Sequence, residues 1–225
     1  VVVPVNPASP RGRGRPPRTS DQQDRLRRRV LNATAAVYAE FGFRGSTVAR
    51  IAQRAEISKP TFYTCYPSVE AAVEAVVADA GAHLLAHLRP AIAPDGDPLG
   101  GDLLGRLGAG IDAYLDWAEK VGDGLRVFHA EQHDPGSPAG RLRAQSTAWV
   151  REVVRDAVVG SGRPAPSPQA LELLIGGLQH ACHQYQRGPR RDRPACRAAM
   201  LRLALALLGT PRDWHAAADT LAAET

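Results

Sequence analysis

Apolar residues recur at helical spacing from about residue 20 onward, and breaks in that spacing divide the chain into helices. Val30, Ala33, Val37 and Phe41 share one face of a predicted helix over 21–42, with Ser20 or Asp21 as its cap and Gly42 near its stop. The stretch "TVARIAQRAEISKPTFYTCYPS" then carries two short helices. Thr47 caps the first, whose Val48, Ile51, Ala52 and Ala55 face inward; Glu56 and Ile57 make a tight turn; Ser58 caps the second, with Pro60 tolerated in its first turn. Phe62 and Tyr66 return aromatic bulk to the core. This is the pattern of a helix-turn-helix, whose second helix enters the DNA major groove by its N-terminal end. Ser68 caps a longer helix over 69–88, and after the loop "RPAIAPDGDP" amphipathic helices follow at about 98–121, 124–132, 138–159, 168–187 and 192–208, with a short one at 211–222. The predicted fold is all-α: a three-helix head over 20–66, then a helical body over 67–225 that includes the connecting helix.

Composition agrees with helices, since aromatics make up only 5% of the 225 residues while aliphatic residues and alanine are plentiful. The net charge of +5 is unevenly spread: Arg11, Arg13, Arg15, Arg18, Arg25, Arg27, Arg28 and Arg29 face only Asp21 and Asp24 in the first thirty residues. Cys65, Cys182 and Cys196 form no CxxC pair and are too scattered for a disulfide framework, so a reducing cytoplasm is the expected location. No run reaches the ~20 apolar residues of a membrane span, and "VVVPV" lacks the charge and length of a signal peptide, so no membrane partner is expected.

Residues 1–19 are too rich in Arg, Gly and Pro for a helix or a core and are expected to be disordered when free. A solvated charged tail is the plain reading of "RGRGRPPR". Set before the first head helix, its Gly-Arg-Pro core also looks like an AT-hook, in which Arg13 and Arg15 lie along a narrow minor groove.

The segment "AAVYAEFGFRGSTVARIAQRAEISKPTFYTCYPSVEAAVEAV" resembles the TetR family of bacterial transcriptional regulators, through the aromatic-Gly end of the first helix, the Gly-Ser-Thr entry to the second, the Ile-Ser turn exit and Pro-Thr-Phe-Tyr in the recognition helix. The resemblance covers about Leu26 to Val76. It implies a homodimer with two recognition helices in successive major grooves of a palindromic operator, and an effector in the body that alters head spacing. By position, Thr47 and Tyr63 match phosphate contacts, while Ser58, Lys59, Pro60, Thr61 and Thr64 occupy the surface facing bases and backbone. Three positions depart from the family pattern: Cys65 stands for a usual histidine, Val69 for a common lysine and Glu56 for a frequent glycine. Loss of that lysine is expected to flatten the salt dependence of binding by about one unit of slope, a loss the arm could replace.

The residue chemistry is consistent with this reading. Lys59 can reach guanine acceptors, Pro60 and the Thr61 methyl can pack on thymine methyls, and the Thr47 and Ser58 hydroxyls can meet phosphate oxygens. In the body, Trp117, Phe128 and Trp149 are expected either to pack the core or to line a pocket for a small, largely apolar effector, with His183 and Gln184 as its polar contacts. His129 and His133, like His180 and His183, share helix faces but lack converging further ligands, so no metal and no other cofactor is expected. The helix over 192–208 is apolar nearly all round and "IGGL", Ile175 to Leu178, permits close backbone approach, which together suggest a dimer interface. The expected activity is that of a ligand-released repressor on double-stranded operator DNA, with an activator or architectural protein of the same fold, lacking an effector, as the alternative. No nucleophile-base pair or phosphate loop points to an enzyme.

Overall fold

A computed structural model of the chain describes residues 19–92, 103–188 and 191–223. The arm with Arg13 and Arg15, and the start of the helix expected from 98, lie outside the described residues. Among the described residues every regular element is an α-helix.

Three helices form the head: α1 (Ser20–Gly45), α2 (Val48–Arg54) and α3 (Lys59–Tyr63). Helix α1 starts one residue earlier than expected because Thr19 makes a reciprocal cap: its Oγ1 accepts from the Gln22 amide at 3.4 Å, and the Gln22 side chain accepts from the Thr19 amide at 3.3 Å. Gly42, with φ +67°, breaks α1, yet one more turn follows it. Val30, Ile51 and Phe62 are fully enclosed where the three helices meet. Phe41, expected on the buried face, is 40% exposed, because the chain turns just beyond it and the Arg50 guanidinium lies 4.3 Å above its ring instead of a core neighbour.

The connecting helix α4 (Val69–Ile92) runs past the expected loop boundary and contains Pro90. Proline removes one intrahelical hydrogen bond, but Leu88 and Ile92 are buried against Ala157, which holds the extra turn in place. The body adds α5 (Leu103–Val121), α6 (Asp123–Glu131), α7 (Pro138–Gly160), α8 (Pro168–Arg187), α9 (Arg193–Leu208) and α10 (Pro211–Ala223). Ser137-Pro138 and Ser167-Pro168 start α7 and α8, serine accepting from the helix backbone and proline standing where no amide is needed. Leu115, Leu174, Met200 and Leu205 form the centre of the body core. On its flank, Arg193 binds Asp116 at 2.7 Å and Glu119 at 3.1 Å, tying α9 to α5. Gly177 of the "IGGL" stretch lets Leu203 of α9 approach α8 within the same chain, whereas Gly176 faces open space.

Candidate nucleic-acid interface and effector cavity

The outward surface of the head is built from caps. Thr47 Oγ1 accepts from the Arg50 amide at 3.3 Å and Ser58 Oγ accepts from the Thr61 amide at 3.3 Å, so both hydroxyls sit fixed at helix starts with Thr47 and Ser58 exposed. Ser58 and Thr61 also share a 2.8 Å hydroxyl contact, and Thr64 Oγ1 donates to the Thr61 carbonyl at 2.7 Å. In α3 Phe62 turns into the core, its ring 5.5 Å from that of Tyr63, while Tyr63 is 56% exposed and Lys59, Pro60 and Thr64 are exposed with it. The sequence-predicted DNA-facing residues thus stand at the starts of α2 and α3 and on α3, all of them exposed except the half-buried Thr61.

Several basic residues serve the head itself. Arg27 lies 4.6 Å over the Tyr66 ring and donates to the Cys65 carbonyl at 3.2 Å; Arg29 donates to the Glu56 carbonyl at 3.4 Å; Arg54 pairs with Glu40 at 2.6 Å. Cys65 and Val69 both pack on the head core, so apolar contact takes the place of the side chains that the resemblance would put there. Glu56 makes the turn with φ +52°.

Beneath the head lies a cavity of about 420 Å³, within the ~300–1,000 Å³ of small-molecule sites. Its walls are mostly apolar and come from α1 and α4 through α8. Of the residues expected at an effector site, Trp117 and Phe128 line it, Trp117 donating its indole N–H to the Ala80 carbonyl of α4 at 3.0 Å and stacking on Tyr114 at 5.9 Å. The other three expected residues stand elsewhere. Trp149 lies under the Arg89 guanidinium at 5.3 Å, and Gln184 is exposed beside His180 at 3.5 Å. His183 stands behind the wall, its ring edge-on to His129 at 5.6 Å. The polar wall residues are instead Asn32, Tyr38, Asp79, His83, Lys120, His129, Thr147 and Gln179. His129 is 6% exposed, and burial, then the neighbouring His183, lowers its pKa to about 4. Its Nδ1 has no hydrogen-bond partner among the described residues. That histidine was visible in sequence as half of an i,i+4 pair. The contribution of α1 was not, because it depends on how the head docks.

A carboxylate links cavity and head. Glu131, at the end of α6, accepts from the Tyr38 hydroxyl at 3.1 Å, the Phe43 amide at 2.8 Å and the Ser137 hydroxyl at 3.2 Å. It thereby holds the break in α1 at Gly42, one turn before α2 begins. Arg44 meets Asp134 at 3.4 Å, and Arg141 of α7 meets both Glu70 and Glu74 at the start of α4. The end of α6, the start of α7 and the segment between them thus touch both α1 of the head and the connecting helix α4.

Residues 30–76 match the family model for bacterial regulatory proteins of the TetR family. No curated protein matches the chain by sequence. Among solved structures, a TetR-like transcriptional regulator from Rhodococcus sp. RHA1 is 22% identical, with 87% of this chain and 100% of that one covered and a TM-score of 0.62. The fatty acid degradation regulator FadR from Bacillus halodurans is 14% identical over 83% of this chain and 96% of its own, with a TM-score of 0.62. Thermus thermophilus FadR, a TetR family repressor solved in complex with lauroyl-CoA, is 20% identical over 82% of this chain and 94% of its own, with a TM-score of 0.57. At these identities the structural likeness shows the fold. The family match adds the DNA-binding head.

Proposed function

We propose, for a chain that belongs to the TetR family of bacterial regulatory proteins, that it works in the cytoplasm as a dimeric repressor of double-stranded operator DNA, released by a small, largely apolar effector. The observation that carries the DNA half is the exposed Lys59, Pro60, Tyr63 and Thr64 surface, held rigid by the buried Phe62 between them. Lys59 reads guanine edges, Pro60 and Thr61 pack on thymine methyls, and Thr47, Ser58 and Tyr63 hydroxyls meet phosphates. Two heads read a palindrome, and the arm adds Arg13 and Arg15 in the flanking minor groove.

The effector half rests on the cavity, which shares walls with α1 of the head and α4. A molecule there acts by fitting one head arrangement better than the other. Lauroyl-CoA in the Thermus protein is one example of an apolar-chained ligand on this fold. Trp117 and Phe128 form its apolar wall in this reading. His183, with its side chain behind His129, shapes that wall indirectly, and Trp149 and Gln184 are left to other roles.

The test is footprinting on DNA upstream of the protein's own gene, at a series of salt concentrations, with and without residues 1–19. Salt-sensitive protection of a palindrome is expected, with Lys59→Ala weakening it about tenfold or more. An unchanged footprint in Lys59→Ala rejects the assigned recognition surface. Unchanged affinity and A·T-flank preference after removal of the arm rejects the minor-groove role.

A further inference from the structure

Next to the effector cavity is a second chamber of about 370 Å³. Thr147, Ile175 and Gln179 line both spaces and so form the partition between them. The two differ in chemistry. The first is mostly apolar, and a narrow apolar space of about 80 Å³ extends it past Leu84, Tyr114 and Val150 toward Leu88 and Leu107. The second has a wall more polar than apolar, with Gln132, His133, Arg151 and Glu172 on it. Arg151 is half-buried and no ion pair joins it to Glu172. Gln132 is 9% exposed, and its side-chain carbonyl oxygen has no hydrogen-bond partner among the described residues. A buried acceptor without a donor is costly unless an occupant supplies one.

Resting on the reading of the larger cavity as the effector site, we infer that the effector is an amphiphile. Its apolar chain fills the larger cavity and its extension, and its oxyanion end passes the Thr147, Ile175 and Gln179 partition into the second chamber. Arg151 provides the charge-assisted hydrogen bonds to that end, and an O–H or N–H on the same end satisfies Gln132. The position of the chamber also gives the ligand its leverage. Gln132, His133 and Pro135 come from the segment joining α6 to α7 and Gly140 from the first turn of α7, next to Glu131 at the end of α6, Asp134 in that segment and Arg141 of α7, which hold α1 and α4. An anionic end seated there adds a push on the ties to the head to the pressure that the apolar chain exerts on the α1 and α4 walls.

The experiment is calorimetric titration of the full chain with dodecyl phosphate, dodecanol and dodecylamine, each below its micelle-forming concentration. Dodecyl phosphate is expected to bind at least tenfold tighter than dodecanol, and dodecylamine weaker than either. Arg151→Met should remove the advantage of the phosphate while leaving dodecanol binding unchanged, and Arg151→Lys should keep most of it. Gly176 lines the chamber, and a Cβ placed on it would meet no neighbour within 4 Å, so Gly176→Leu is expected to enter the space with the fold kept, which circular dichroism checks. It is expected to reproduce the Arg151→Met result and covers the case in which Arg151→Met fails to fold. Equal binding of phosphate and alcohol, or equal losses for both in Gly176→Leu, overturns the two-chamber inference and leaves the effector cavity standing. Failure of all three probes to bind a folded, DNA-binding chain overturns the inference and counts against the apolar effector reading beneath it.

Discussion

Glu56 holds the turn between α2 and α3 at φ +52°, a left-handed conformation that costs a residue with a Cβ roughly 1–2 kcal/mol. Its side chain is exposed and the Arg29 contact uses its backbone carbonyl, so a glycine there keeps the hydrogen bond and loses the strain. Glu56→Gly is expected to stabilise the chain by about 1 kcal/mol after the added unfolded-state entropy, read as a higher urea midpoint by circular dichroism. Glycine is frequent at this position in the family pattern because a tight turn makes a local demand on one residue. His129 makes the opposite kind of demand. Its pKa of about 4 in the fold lies below the ordinary value near 6.5, so the unfolded chain binds the extra proton first as pH falls. Stability is therefore full above about pH 6.5 and falls toward pH 4, by an amount on the order of 3 kcal/mol for this one group. Thermal melts across that range should show the slope. His129→Gln, which cannot titrate, should flatten it.

Helix ends rather than helix middles decide how the elements meet. Glu131 accepts three hydrogen bonds through two oxygens, and an amide in its place offers one acceptor oxygen and turns an N–H₂ toward a donor. Glu131→Gln is thus expected to leave the Phe43 amide or the Tyr38 hydroxyl unsatisfied, at about 1–3 kcal/mol. Faster hydrogen exchange at the Phe43 amide and weaker DNA binding are the readouts, with exchange at the α8 amides unchanged. Gly42→Ala should act alike, since its Cβ would stand 2.7 Å from Glu131 Oε1 and its φ is +67°. The spacing of Val30, Ala33 and Val37, and of the apolar residues of α5 through α9, made these helices legible because periodicity is local. Their joins were less so. The fate of Phe41 turns on a guanidinium nine residues later, and the turn of α4 beyond Pro90 depends on Ala157 of α7. Neither partner can be inferred from the helix it stabilises.

At the scale of the whole chain, the head was legible because caps, turn and aromatic core positions all fall within about fifty consecutive residues. The cavity was not, because its wall joins residues as distant as Leu31 and Gln179. Side-chain size alone did not place residues on it, since Trp117 and Phe128 line it and the equally large Trp149 lies under Arg89 instead. The dimer asks for the same kind of nonlocal reasoning. Leu173 of α8 is 64% exposed, Val159 at the end of α7 is 47% exposed and Trp214 of α10 is 39% exposed, a set of large apolar groups that a single chain leaves in water. Single exposed apolar residues are ordinary, so the burial of this set in the proposed dimer needs a measurement. A carboxylate at the centre of an apolar interface meets its own symmetry mate or its apolar surroundings, and either costs several kcal/mol of association. Leu173→Glu is therefore expected to shift the protein from dimer to monomer by light scattering at micromolar concentration. The monomer should keep its helical circular dichroism, because Leu173 supports no core in its own chain. It should also lose most of its affinity for a palindromic site while retaining salt-sensitive binding to a half-site, since each head keeps its own Lys59 and Tyr63 surface. A Leu173→Glu dimer of unchanged mass and operator affinity would place the contact between the two copies on another face of the body.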